Sequence, residues 1–76
     1  MVRFNYLRLR AIREQYGLTQ EEFGASIGSS RGLVDSVERG LSKPRTAMVE
    51  VVCNKYNVDP NFLFTWSDVD NIGDEQ

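Results

Sequence analysis

The sequence contains no histidine and a single cysteine, Cys53, and these scarcities exclude several kinds of stabilisation. One cysteine cannot form a disulfide within the chain, and without histidine it cannot complete a tetrahedral zinc site. An unpaired thiol is typical of a reducing compartment. A chain of 76 residues must therefore hold one small core by side-chain packing, and we expect neither a metal nor a cofactor.

Long apolar runs are also missing, since no run approaches the roughly 18 residues that a membrane span needs. The first ten residues, MVRFNYLRLR, lack the apolar stretch that follows the charges of a signal peptide. These absences favour a cytoplasmic protein without membrane association. An enzyme is not expected, because the chain offers no nucleophile–base pair and no phosphate-cradling glycine loop. Glu21 and Glu22 are neighbours in sequence but lie on different helix faces, so they are not a catalytic carboxylate pair.

Charge is distributed unevenly along the chain, although the net charge is only −2. Residues 3–45 contain eight basic and five acidic side chains, whereas residues 46–76 contain one basic and six acidic side chains. A local patch sets the local potential, so the first part of the chain can attract an anionic partner despite the overall sign.

Apolar spacing and capping residues predict five short helices and an all-α fold, because no alternating run is long enough to form a sheet. The expected helix starts are Asn5, Thr19 with Glu22, Ser30, and Asp59 with Pro60, and the expected stops are Gly17, Gly28, Gly40 and Asn57. The residues expected to face the core are Leu9, Ile12, Tyr16, Phe23, Ile27, Val34, Val37, Leu41, Val49, Val52, Cys53, Tyr56, Phe62 and Leu63.

The second and third predicted helices are short and are separated by three or four residues, as in a helix-turn-helix. The segments that carry this pattern are Leu18–Phe23, Ile27-Gly28, Ser30-Arg31, Val34, Val37–Gly40 and Lys43-Pro44. In these segments the chain resembles the phage repressor and Cro type of helix-turn-helix domain, also called the xenobiotic-response-element family. The resemblance runs from about Leu9 to Leu63.

This resemblance implies a compact five-helix, lambda-repressor-like domain that acts as a homodimer on a palindromic DNA operator. It also implies a partly buried salt bridge between Arg13 and Glu38 that orients the reading helix. Three residues depart from the family pattern: Gly24 stands where alanine is usual, Ser29 replaces an apolar turn residue, and Gly32 removes a side chain from the reading helix.

A helix fits the major groove of B-DNA, and the residues at its N-terminal end reach the base edges. Arg31 is the main candidate for base contact, since its guanidinium can donate two hydrogen bonds to guanine. Leu33 either touches a thymine methyl group or completes the core. Asp35 either accepts from cytosine or pairs with Arg31, and we favour the pairing. The further candidates for base contact are Gly32, Ser36 and Gln20, and the amide of Gln20 is also expected to face the phosphate backbone of the DNA. The candidates for phosphate contact are Ser30, Arg39, Lys43 and Arg45.

The chain is expected to divide into a DNA-binding domain at residues 1–66 and an acidic, flexible tail at residues 67–76. Phe62 is expected to complete the core, whereas Phe64 and Trp66 cannot easily both be buried, so at least one of them is a candidate for a dimer seam. The alternative function is a protein-interaction module, or an antitoxin, built on the same fold.

Overall fold

The computed structural model describes residues 1–67, which form five helices and two short strands. The elements, in chain order, are β1 (Val2–Phe4), α1 (Tyr6–Gln15), α2 (Gln20–Ser26), α3 (Arg31–Glu38), α4 (Thr46–Tyr56), α5 (Pro60–Leu63) and β2 (Phe64–Trp66). The predicted five-helix fold is therefore confirmed. The proposed acidic tail lies, apart from Ser67, outside the described residues.

The helix starts follow from side chains that accept hydrogen bonds from otherwise unpaired backbone N–H groups. Asn5 accepts from the N–H of Arg8, and Asp59 accepts from the N–H of Asn61. Thr19 and Glu22 form the complete capping box, in which each side chain accepts from the backbone N–H of the other.

Helix stops depend on the left-handed backbone conformation, which glycine adopts without a steric penalty. Gly17, Gly28 and Gly40 all have φ angles between 68° and 76°, and Asn57 ends α4 with a φ angle of 56°. Each predicted stop therefore lies where its helix ends.

A two-stranded antiparallel sheet joins the two ends of the described chain, contrary to the expectation of no sheet. Phe4 lies opposite Phe64, and Val2 lies opposite Trp66. The Phe4 and Phe64 rings meet edge to face, with their centroids 5.5 Å apart. Three-residue strands are too short to produce a recognisable alternation, and this sheet forms because α5 brings Phe64 beside the N-terminus.

One hydrophobic core lies between the helices, and all five contribute to it. The Tyr56 ring packs against Phe23, and its hydroxyl group hydrogen-bonds to the Ser26 hydroxyl group, which ties α4 to α2. Met48 was not expected in the core. The buried apolar residues are Leu9, Ile12, Phe23, Ile27, Val34, Val37, Met48, Val52, Tyr56 and Leu63.

Three residues expected in the core are exposed. Leu41 lies beyond the end of α3 and is 63% exposed, because Gly40 turns the chain away from the helix. Tyr16 is half-exposed, and its hydroxyl group donates to the backbone oxygen of Tyr56. Phe62 is 40% exposed and lies under the Arg8 guanidinium, 4.8 Å from ring centroid to guanidinium carbon. Val49 and Cys53 are only partly buried, at the edge of the core.

Within residues 1–67, no helix is long and apolar enough to cross a bilayer.

Candidate nucleic-acid interface

The turn between α2 and α3 brings the backbone of Ser29 very close to α2. The N–H of Ser29 donates to the backbone oxygen of Gly24 over 2.7 Å. A Cβ atom on Gly24 would lie 2.8 Å from the Ser29 oxygen, which is closer than real Cβ contacts. Glycine at this position, one of the departures from the family pattern, therefore permits a tight turn.

Helix α3 begins at a cap and has two clearly different faces. The Ser30 hydroxyl group accepts from the N–H of Leu33, which satisfies a backbone donor in the first turn. Val34 and Val37 are completely buried against the core. The opposite side of the helix is open, so α3 lies on the rest of the domain with one long face toward solvent.

The open face contains Arg31, Gly32 and Ser36, three of the four residues predicted to contact bases, whereas Gln20 lies on α2. Arg31 and Gly32 are exposed in the first turn, and Leu33 is 40% exposed. No atom lies within 4 Å of the position that a Cβ of Gly32 would occupy. Ser36 is half-buried, and its backbone oxygen accepts from Leu41 and Ser42 in the turn that follows α3. Among residues 1–67, the Arg31 guanidinium has no hydrogen-bond or ion-pair partner.

A salt bridge holds the C-terminal end of α3 against α1. Arg13 Nε donates to Glu38 Oε2 over 2.7 Å, and Arg13 Nη2 donates to Glu38 Oε1 over 3.1 Å. Arg13 also donates to the backbone oxygen of Leu18. The two side chains are only 13% and 3% exposed. The hydrogen bonds to Glu38 raise the pKa of Arg13 above its ordinary value, so the guanidinium stays charged. This is the pair that the resemblance implied.

Gln20 lies beside this salt bridge at the first position of α2. Its Nε2 atom lies 3.2 Å from Asp35 Oδ1 and 3.2 Å from Glu38 Oε1. One side-chain amide thus bridges two carboxylates that are three residues apart on α3. These hydrogen bonds were not predicted, although the spacing of Asp35 and Glu38 on one side of a helix was a signal for a shared partner.

The favoured pairing of Asp35 with Arg31 was wrong. Asp35 Oδ2 lies 3.5 Å from Arg39 Nη1, and the other carboxylate oxygen accepts from Gln20. Both partners lie toward the C-terminal end of α3, whereas Arg31 lies one turn in the other direction. The consequence is that Arg31 remains available at the start of the helix.

The residues predicted to contact phosphates lie on the surface around α3. Ser30 and Arg39 are exposed at its two ends, and Lys43 and Arg45 are exposed in the segment that leads to α4. Lys43 and Arg45 have no ion-pair partner in the described part of the chain. Within that part, no three cysteine, aspartate or glutamate side chains converge as metal ligands would.

Residues 19–38 form a helix-turn-helix. Its second helix, α3, is capped, packs against the first and has one face exposed to solvent. The helix-turn-helix family HTH_3 matches residues 9–63, most of the chain. The protein therefore belongs to the HTH_3 helix-turn-helix family, a family of transcription regulators rather than of enzymes.

Three relatives are similar to this chain over most of its length. It is 31% identical over 68 residues to the antitoxin PezA of Streptococcus pneumoniae, covering 90% of this chain but 38% of that protein. It is 32% identical over 56 residues to the uncharacterised HTH-type transcriptional regulator YazB of Bacillus subtilis, covering 74% of this chain and 81% of the relative. A third relative, an uncharacterised HTH-type transcriptional regulator of Archaeoglobus fulgidus, is 30% identical over 61 residues, 80% of this chain and 87% of its own.

Proposed function

We propose that this domain is a sequence-specific DNA-binding transcriptional regulator that places α3 in the major groove of a short operator. The observation that carries the proposal is the state of Arg31, which is exposed in the first turn of a braced helix and has no partner within residues 1–67. An arginine in that position can donate two hydrogen bonds to guanine. The family and the two regulators named among the relatives support the same function.

The surrounding residues take their roles from their positions around α3. Gly32 lets the DNA approach the helix backbone, because it presents no side chain, and Ser36 lies one turn further along the same helix. Gln20 supplies a further base contact from α2. The residues that bind phosphates are Ser30, Arg39, Lys43 and Arg45, and such contacts set the register and salt dependence rather than the sequence preference.

Selection of bound sites from a random DNA pool tests this proposal directly. The wild-type protein should enrich a motif with at least one invariant guanine. Arg31→Ala should reduce the preference for that guanine about 5- to 150-fold, the range of a good bidentate contact, without changing thermal stability. Arg39→Ala should weaken binding to all sequences alike. A pool without any enriched motif would contradict specific reading of DNA by this domain.

We propose a homodimer as the functional unit, with its seam at the exposed apolar side chains of the small sheet. Val2, Phe64 and Trp66 alternate with Arg3 and Thr65, so they share a face of the sheet with Phe4. Trp66 is 70% exposed and Val2 is 62% exposed, which is unusual for large apolar side chains. Sedimentation equilibrium from micromolar to millimolar concentration tests this, and a monomer throughout that range would contradict it.

The second candidate function is that of an antitoxin or protein-interaction module on the same fold, because the similarity to PezA covers 90% of this chain. The chain spans 38% of PezA, so any interaction that the remainder of that protein makes lies outside the comparison. The two functions are separated by measuring how the affinity of the protein for its partner, DNA or another protein, changes with salt concentration. DNA binding should weaken steeply with salt, whereas an apolar protein interface should change little.

For either function we propose the cytoplasm as the location of the protein, since its single cysteine suits a reducing compartment.

A further inference from the structure

The side-chain amide of Gln20 has two N–H groups, and both of them point to carboxylates within the protein. Asp35 Oδ1 and Glu38 Oε1 each lie 3.2 Å from the amide nitrogen. A carboxylate only accepts hydrogen bonds, so the nitrogen rather than the oxygen of the amide must face this pair. The orientation of the amide therefore follows from the chemistry of its two neighbours.

These two carboxylates are themselves held in place. Arg13 donates to both oxygens of the buried Glu38, and Arg39 lies 3.5 Å from the remaining oxygen of Asp35. Rotation of the Gln20 amide by half a turn would set its oxygen against two negative charges. The donor capacity of Gln20 is consequently used up before any DNA arrives.

The carbonyl oxygen of Gln20 is in the opposite state. It accepts no hydrogen bond from the described residues, and none of their buried side-chain oxygen or nitrogen atoms lacks a partner. The oxygen is therefore accessible to solvent. An oxygen with free lone pairs cannot bind a phosphate oxygen, which is also an acceptor.

We propose that Gln20 acts as an acceptor-only reader of DNA, which receives a hydrogen bond from the exocyclic amino group of an adenine or a cytosine in the major groove. These are the two base edges that present a donor there. The inference rests on the proposed operator-reading function and gives Gln20 a defined hydrogen-bond polarity. It also replaces the expectation that the Gln20 amide binds the phosphate backbone, and it makes Asp35 and Glu38 positioning residues.

The experiment tests for one hydrogen bond between the Gln20 amide and a single amino group on the DNA. In the selected operator, each adenine nucleotide is replaced in turn by 2′-deoxynebularine, which lacks the 6-amino group, and each cytosine nucleotide by its 4-desamino analogue. Wild-type affinity should fall about three- to tenfold at one position, the size expected for a single neutral hydrogen bond. Gln20→Met should bind the natural and substituted operators equally at that position. Gln15→Met is the matched control, since Gln15 is exposed at the end of α1 and should retain the wild-type pattern.

A second measurement does not depend on a variant that folds. In the complex of the wild-type protein, a nuclear Overhauser effect should join the γ-methylene protons of Gln20 to the amino protons of that same base. If Gln20→Met weakens every operator by the same factor and keeps all analogue sensitivities, the inference is wrong, while an enriched motif leaves the proposed function standing. Failure of the random pool to yield any motif would overturn both.

Discussion

Arg13 and Arg31 have the same side chain in opposite surroundings. Arg13 is 13% exposed and donates three hydrogen bonds, two to Glu38 and one to Leu18. Arg31 is exposed and has no partner in residues 1–67. The difference indicates two separate roles. The ion pair between Arg13 and Glu38 holds the C-terminal end of α3 in place, and Arg31 at its N-terminal end remains available for a ligand.

The largest expected effect comes from breaking the buried side of this comparison. Glu38→Ala should reduce the free energy of unfolding by about 3 kcal/mol, because it leaves a buried guanidinium without its carboxylate. In a domain of this size that corresponds to a fall in melting temperature of roughly 12–24 °C. Thermal denaturation followed by circular dichroism measures it.

The control for this prediction is a second ion pair on the same helix as Arg13. Arg10 and Glu14 are 3.0 Å apart but more than half exposed, so Arg10→Ala should change stability by at most about 0.5 kcal/mol. The double variant Arg13→Met with Glu38→Leu should recover most of the lost stability, because no unpaired charge remains. Equal losses of stability for Arg10→Ala and Glu38→Ala would contradict the distinction between the buried ion pair and the exposed one.

A smaller effect is expected at Gly24, where the turn approaches α2. Alanine is favoured over glycine in a helix interior by about 1 kcal/mol, so propensity alone predicts that Gly24→Ala stabilises the domain. The Cβ would meet the Ser29 oxygen at 2.8 Å and the Ser30 backbone at 3.1 Å, and those backbone atoms can move only by opening the turn. We therefore expect a net loss of about 1–3 kcal/mol.

Gly32→Ala is the matched variant, since its Cβ would enter open space on α3. It should stabilise the domain by up to about 1 kcal/mol. Urea denaturation of the two variants measures the difference, and a gain in stability at both positions would show that the turn is not tight at Gly24.

The contrast between these glycines also shows what could be predicted from the sequence. The helices and their caps were predictable because each depends on residues within a few positions, as Thr19 with Glu22 illustrates. The role of Gly24 was not, because it depends on the distance to a turn five residues away. The sheet was missed because Phe4 and Phe64 meet only after the whole domain has folded.

The candidate site divides in the same way. The solvent-facing position of Arg31 followed from the inward spacing of Val34 and Val37 along one helix. The partner of Asp35 did not follow, since Arg31 and Arg39 are both four residues away and only the neighbouring helix decides between them. Gln20 donates a hydrogen bond to one oxygen of Asp35, and the other oxygen forms an ion pair with Arg39.

The unpaired cations at the surface give a smaller, salt-dependent effect. Arg45→Ala should make the negative slope of log K against log salt concentration less steep by about 0.9, the contribution of one neutralised phosphate on duplex DNA. Fluorescence anisotropy with a labelled operator at several salt concentrations measures this slope. Lys55→Ala is the control, because Lys55 is exposed in the last turn of α4, away from the residues proposed to bind phosphate. An equal change in slope for both variants would mean that Arg45 acts only through net charge.

The smallest expected effect concerns Cys53, a partly buried group without a hydrogen-bond or ion-pair partner in the described chain. Burial raises the pKa of the Cys53 thiol, and the nearby charge of Asp59 raises it further. Since the thiolate is the reactive form, a higher pKa leaves less of it at pH 8, and burial also restricts access. Iodoacetamide should therefore alkylate the native protein several-fold more slowly than the protein unfolded in urea, and the difference should narrow as the pH rises toward the native pKa.

Asp59→Asn is the sharpest variant, because asparagine can still cap α5 while the charge is removed. It should increase the native rate at pH 8 slightly and leave the melting temperature nearly unchanged. Equal alkylation rates in the native and unfolded states would show that the surroundings of Cys53, unlike those of Arg13, do not control its chemistry.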